Sequence, residues 1–213
     1  MACLHCTPGE NGFRITDIRD GDAIQLPWEL ESGTLAKATV WDDTLEVVHA
    51  PIAVSAWFAD KLGVACSLVF MPNGSRRTVD PRYATGINSF SDGFPYLILS
   101  QASLDDLNAR MDVALSMERF RPNIVIAGGD AHQEDLWKEI AVGNARFDLV
   151  KPCGRCAITT TDQRTGERGK EPLRTLATYR RRKGTEGAVV VDFGMNAMAI
   201  DNGSVRVGDL VTA

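Results

Sequence analysis

Two thiols lie three positions apart, Cys153 and Cys156 in "VKPCGRCAITTTD" (Val150 to Asp162), at the mouth of a β-branched run. Several chemistries use such a pair. With Cys3 and Cys6, also spaced C-x-x-C, they would supply the four thiolates of a tetrahedral zinc site. The two knuckles lie far apart in sequence, however, and the first sits at a terminus prone to fraying. A thioredoxin-like redox pair wants a helix N-terminus, whose dipole lowers a thiol pKa. Here Ile158, Thr159, Thr160 and Thr161 follow, and β-branched residues favour a strand. A third chemistry needs Cys156 alone. Arg155 precedes it, a guanidinium beside a thiol favours thiolate, and thiolate suits a soft or high-valent metal. A plainly packed cysteine is the alternative, and spacing does not choose between them.

Other nucleophilic chemistry has less to stand on. The chain has no G-x-S-x-G elbow, and His5, His49 and His132 stand in no recognisable relation to a nucleophile, so each reads as a surface or turn residue. A net charge of -5 and a pI near 5.2 argue against nucleic acid as the main partner, because phosphate binding leaves a basic footprint. The one basic run, "YRRRKG" (Tyr179 to Gly184), reads as a solvated turn. "MACLHCTPGENGF" has no basic region followed by an apolar stretch, so it is not expected to be a signal peptide, and no apolar run approaches the ~20 residues of a membrane helix. The expectation is a soluble cytoplasmic protein with no membrane partner, whose five cysteines are buried, metal-bound or catalytic rather than disulfide-bonded.

The elements that must position these residues are mostly strands. "GFRITDI", "TLAKATVWDDTLEVVHA" and "GVACSLVF" carry period-two or β-branched runs, and Asp42-Asp43 reads as a hairpin connection. A short helix is predicted over Val54 to Leu62, stopped by Gly63, and another over Gln101 to Met111, with a capping signal from Ser103 to Asp106. Between them, Arg76 to Gly93 is a long aperiodic loop, which in a compact domain is often functional. "NIVIAG", "EIAVGNARFDLVK" and "CAITTTD" read as strands, Gly143-Asn144 as a hairpin turn, and Pro172 as the start of a helix over "LRTLATYR". The tail from Gly187 reads as three short strands turned at Asn202-Gly203. This pattern predicts a mainly β protein, a β-barrel with a few short helices. A hydrophobic fraction of 44% is enough for such a core.

One segment, "KPCGRCAITTTDQRTGERGKEPLRTLATYR" (Lys151 to Arg180), resembles the signature of MOSC domains, found in molybdenum cofactor sulfurases and amidoxime-reducing molybdoenzymes. Further matches are "FRPNIVIAG" (Phe120 to Gly128), "LILSQASLDDLN" (Leu97 to Asn108), the F-G-x-N of Phe193 to Asn196, and "VRVGD" (Val205 to Asp209). Together they run from about Ser91 to the end, in order. Upstream, "TVWDD" and "AWFADKLG" resemble the small barrel that precedes the MOSC domain in the same proteins. The implied organisation is a partial N-terminal MOSC-type β-barrel domain over 1–72 and a MOSC domain over 73–213.

The resemblance implies a mononuclear molybdenum site and a molybdopterin cofactor. Cys156 matches the metal-binding cysteine, and Gly154 and Arg155 would lie against the cofactor. Arg121 and Asn123 would hold its phosphate and pterin, which suits a guanidinium and an amide. Ser91, Asp92 and Phe94 match the loop bordering the cofactor, and Asn196 another contact. No role follows for Cys153 beyond a packed or supporting thiol. The implied activity is reduction of a small N-hydroxylated substrate, with electrons from a separate ferredoxin-, flavin- or cytochrome-type protein. A non-catalytic cofactor or sulfur carrier is the alternative, and the family brings with it an association with pyridoxal phosphate. Relatives carry a Lys-Ser pair and an arginine ahead of the matching part, so the chain is expected to be short at its front.

Overall fold

Strand and helix follow the local pattern in most of the chain. The computed structural model describes residues 1–30, 33–184 and 187–213, which fall into two units, 1–77 with 163–167 and 78–162 with 168–213.

In the first unit, β1 (Leu4–Gly9), β2 (Gly12–Asp17) and β3 (Ala23–Leu26) form one antiparallel sheet. A second holds β4 (Leu35–Val40), β5 (Asp43–His49) and β6 (Val69–Phe70). The β4–β5 hairpin turns at Trp41-Asp42, one residue before the expected Asp42-Asp43, because Asp43 already pairs with Val40. Helix α1 (Ile52–Leu62) is closed by Gly63 at φ 65, a left-handed conformation that glycine adopts without steric cost. Of "GVACSLVF" only β6 is strand. The division between units falls within β7 (Arg77–Thr78).

The second unit is built on a nearly closed barrel. After β8 (Ile87–Asn88) come β9 (Tyr96–Ser100), α2 (Gln101–Ala109), β10 (Ile124–Ile126), β11 (Glu139–Val142), β12 (Ala145–Gly154), α3 (Leu173–Leu176), β13 (Arg181–Lys183), β14 (Val189–Ala199) and β15 (Val211–Thr212). The sheet order is β10-β9-β14-β12-β11-β15, with β13 also on β14. Central β14 is buried continuously from Asp192 to Met195, as expected of a strand covered on both faces. One face packs Ile98, Phe147, Leu149 and Met195, while the other packs Leu99, Phe120, Leu176 and Phe193 under α2 and α3.

Phe193 and Met195 lie two residues apart yet pack into different clusters. Between them Gly194 takes φ 80, which breaks the strand's two-residue alternation. The partner strand answers with two register shifts, between Leu149 and Lys151 and between Pro152 and Gly154. These irregularities interrupt the ladder where the C-x-x-C segment begins, and pairing resumes at Gly154 opposite Asp192.

Three expectations are corrected. "CAITTTD" is not a strand, because Ala157–Thr160 form a 3-10 turn. There the Thr159 hydroxyl donates to Cys156 O at 3.0 Å and the Thr160 hydroxyl to Ala157 O at 2.7 Å, a local alternative to ladder pairing. The tail makes one long strand and one short one rather than three. Asn202-Gly203 turns no hairpin, because Ser204 N is taken by the Asn144 side chain at 2.8 Å. Helix α2 is capped by Ser100, whose Oγ accepts from Ser103 N at 3.0 Å, one turn before the predicted signal.

Candidate functional site

Cys156 stands at the N-cap of the 3-10 turn, in extended backbone, with its side chain exposed. It is not packed in hydrocarbon. Cys153 is different: its Sγ accepts from Arg155 Nη1 at 3.2 Å. Burial holds this thiol above its ordinary pKa, against the opposing pull of the Arg155 guanidinium. The guanidinium is therefore hydrogen-bonded to Cys153, not only adjacent in sequence to Cys156. Cys153 and Arg155 are two residues apart, the spacing that extended backbone sets on one face, whereas adjacent residues point to opposite faces.

Arg155 links two of the matched segments. Its Nη2 donates to Phe120 O at 2.8 Å, its Cζ lies over the Phe120 ring at 5.6 Å from the centroid, and its backbone N bonds Val191 O at 2.7 Å. Its Nε is buried without a partner among the described residues. Just beyond Phe120, Arg121 takes φ 54 with its side chain exposed. A non-glycine residue in that region is uncommon, and such conformations gather at functional sites. The Arg119–Asp162 ion pair at 2.8 Å draws the same segment towards the end of the 3-10 turn.

Asn123 is held on both sides. Its backbone N bonds Leu97 O at 2.9 Å and its Oδ1 accepts from Leu97 N at 2.8 Å, which leaves the amide nitrogen as the remaining donor. Asn196 faces Leu97 on one side and Lys151 on the other, and its Nδ2 reaches Pro152 O at 3.4 Å. Phe94 is buried, with Lys151 Nζ 5.5 Å from its ring centroid and 4.5 Å from that of Tyr83. Asp92 adds a like charge that disfavours a thiolate at Cys153. Ser91 O accepts from Asn88 Nδ2 at 3.4 Å. Backbone pairing and side-chain contacts thus connect Cys153, Gly154, Arg155, Phe120 to Asn123, and Asn196 at one end of β12 and β14.

Several polar residues here had no signal in the sequence. Asp192 is buried opposite Gly154, ion-paired to Arg182, with Oδ1 unpartnered. Glu134 is 1% exposed and accepts from Ser100 N, Ser100 Oγ and Ser103 Oγ at 3.2, 2.9 and 2.7 Å. His132 lies in a turn, as expected, but its side chain is partly buried. Its ring faces Asp106 at 3.1 Å and packs against Tyr179 and Phe193. Capping spacing at Ser100 could have suggested that helix end, but nothing local announces Glu134 as its partner. The basic run is likewise not a turn: Arg181–Lys183 are β13, Arg180 pairs with Asp135 and Arg182 with Asp192.

A cavity of about 1500 Å³ opens elsewhere in the barrel, between Tyr96, Ile124, Trp137, Phe147 and Val211. Of the predicted site residues only Asn123 lines it. Neither thiol nor Arg155 does, so the chemistry, not the volume, locates the site. Among the described residues no three His, Cys, Asp or Glu side chains converge as metal ligands.

A family model of the MOSC domain matches residues 85–212. The chain belongs to the MOSC domain family. Mitochondrial amidoxime-reducing component 1 of Homo sapiens is 42% identical over 127 residues, 58% of this chain and 38% of that protein. Mitochondrial amidoxime reducing component 2 of Homo sapiens is 43% identical over 128 residues, with the same coverage of 58% and 38%. Molybdenum cofactor sulfurase of Oryza sativa subsp. japonica is 32% identical over 167 residues, 68% of this chain and 20% of that protein. The match thus spans less than two fifths of the length of each of these relatives. Within the MOSC domain, Cys156, Arg121, Asn123 and Asn196 all fall inside the matched range. Among the described residues no helix is long and apolar enough to cross a membrane.

Proposed function

We propose that this chain carries the molybdenum cofactor site of an oxidoreductase that reduces N-hydroxylated compounds with electrons from a separate redox protein. The observation that carries the reading is the exposed thiol of Cys156, which follows a bulged strand and Arg155, itself bonded to the segment that holds Arg121. Arg155 has a buried unpartnered Nε, and Arg121 has left-handed backbone. The names of the amidoxime-reducing relatives supply the substrate class.

The residues fit the group. Cys156 as thiolate is a soft ligand of the right kind for molybdenum. Gly154 is exposed and has no side chain to obstruct a close approach. Arg121 offers a planar pair of donors to a phosphate, and the Asn123 amide nitrogen is a free donor for a pterin edge. Ser91, Asp92 and Phe94 would form the adjacent wall, and Asn196 would steady the strand behind it. When bound, the cofactor supplies the two-electron couple and the acceptor for the substrate oxygen. The overall change breaks the N–O bond: the N–OH group, two electrons and two protons yield N–H and water.

The chain's own residues do the rest. The Arg155 bridge from Cys153 Sγ to Phe120 O fixes the spacing of the two segments that would grip the cofactor, and preorganised donors cost no reorganisation during turnover. Cys153 acts as an acceptor in that bridge, with its thiol proton retained. A carrier without turnover is the second reading, favoured by the similarity to the rice sulfurase.

The test uses protein from a host with intact molybdopterin synthesis. Wild-type protein is expected to contain molybdenum and to reduce benzamidoxime with reduced methyl viologen, while Cys156→Ala loses both. Metal retained at full occupancy in Cys156→Ala would overturn the ligand assignment, and metal binding without any reduction would select the carrier.

A further inference from the structure

Charge is segregated along this chain. Residues 151–184 contain ten Lys and Arg against three Asp and Glu, leaving thirteen against twenty-five in the rest. Within that stretch many cations are already used: Arg155 bridges Cys153 and Phe120, Arg174 pairs with Glu171, Arg180 with Asp135, and Arg182 with Asp192. Arg181 and Lys183 are not. Both are exposed and neither makes an ion pair among the described residues. Spaced two apart on one strand, they present their charges on one face. Exposed Arg168 and Lys170 add to the excess on the segment that follows the Thr161–Arg168 bridge.

The position of this strand matters as much as its charge. Among the described residues β13 pairs with β14 alone, so its far edge is open. Arg181 lies opposite Val191, and Val191 O accepts from Arg155 N on the other side. Two strand spacings, about 10 Å, therefore separate the cationic strand from Arg155, with Cys156 the next residue. A positive rim beside a redox centre, on a chain whose net charge is -5, would attract a negatively charged protein to that one edge and repel it elsewhere.

We propose that β13, through Arg181 and Lys183, is the docking surface for an acidic electron-carrier protein. This rests on the functional reading above and adds the chemistry of the partner and the place where it binds. The same charges could instead only guard an open strand edge against pairing with another copy, and a glutamate at each position would preserve that protection while reversing the attraction.

The experiment compares wild type with Arg181→Glu/Lys183→Glu, as cofactor-loaded protein, using two kinds of donor. One kind is proteinaceous: an acidic 2Fe–2S ferredoxin, a flavodoxin and an acidic b-type cytochrome. The other is reduced methyl viologen, which needs no docking surface. With at least one carrier, benzamidoxime reduction by the double variant is expected to fall about tenfold or more in kcat/KM at low salt. Raising ionic strength from about 20 mM to about 300 mM should slow the wild type with that carrier and leave the variant nearly flat. Viologen-driven rates and Tm should match. Equal rates with every carrier would overturn the proposal, as would a parallel loss with viologen.

Carrier binding is also measured directly by titration, without turnover. If the wild type fails to reduce benzamidoxime with viologen yet binds a carrier in a salt-sensitive way that the variant loses, the docking surface stands and the activity reading falls. Tighter binding, lost in the variant, to a short DNA duplex or to phosphatidylserine vesicles than to any carrier would mean a different partner class and overturn the proposal.

Discussion

Asp106 shows how a single residue's surroundings convert into a measurable pH dependence. A hydrogen bond from Arg110, assisted by His132, lowers its pKa to about 2 from an ordinary value of 3.8. A carboxylate whose folded pKa is depressed contributes stability above its unfolded pKa and loses it as pH falls towards the folded one. Asp106→Asn is therefore expected to cost about 1–2 kcal/mol at neutral pH, allowing for partial exposure. The gap in stability between wild type and variant should close between about pH 4 and pH 2. Denaturant titrations at stepped pH measure this, and a gap unchanged at pH 2 would contradict the assignment. The participation of His132 could not be read from sequence, since a histidine's neighbours come from other elements. The motif is what singles out Cys156 for the proposed site, whereas the partner of Arg155 had no signal in the sequence. Adjacency in sequence suggested Cys156, yet the guanidinium faces Cys153.

At the scale of elements, the break in β14 does most to place the site. Gly194 occupies left-handed backbone, and a Cβ there would meet Ile98 O at 2.9 Å. Gly194→Val is expected to cost about 2 kcal/mol or more, from roughly 1–2 kcal/mol of backbone strain plus the displaced neighbours. That corresponds to a Tm lower by about 4–8 °C for a domain of this size. Because the break faces the end of β12, lower molybdenum occupancy should accompany the thermal shift, and calorimetry with metal analysis on the same preparations checks both. A variant that loses stability but loads metal normally would separate the bulge from the site. The hairpins at Trp41-Asp42 and Gly143-Asn144, helices α1 and α2, and the long strands were legible because alternation, turn residues and stop signals act within a few residues. "CAITTTD" was misread for an equally local reason. Threonines that favour strands by propensity can also return hydroxyl donors to carbonyls three residues back, and here they do.

Across the whole molecule, both buried apolar clusters belong to the second unit, while α1 of the first has no buried residue. Local opening needs less free energy where fewer apolar contacts hold an element. Native-state hydrogen exchange should accordingly find the slowest amides in β9, β12 and β14, and earlier exchange through residues 1–77. Comparable protection in both units would contradict this. The amino-acid sequence by itself determined the mainly β class, the MOSC signature and the charge excess of residues 151–184, because composition, periodicity and motif order are properties of a linear chain. Only the tertiary structure decided which of those charges are spent and which remain. It also buried Glu134 beneath two serines, gave Arg155 to Cys153, and set Arg181 across one strand from Arg155. Such pairings depend on strand register and on where a ladder bulges, and a one-residue shift in either sends a side chain to the opposite face.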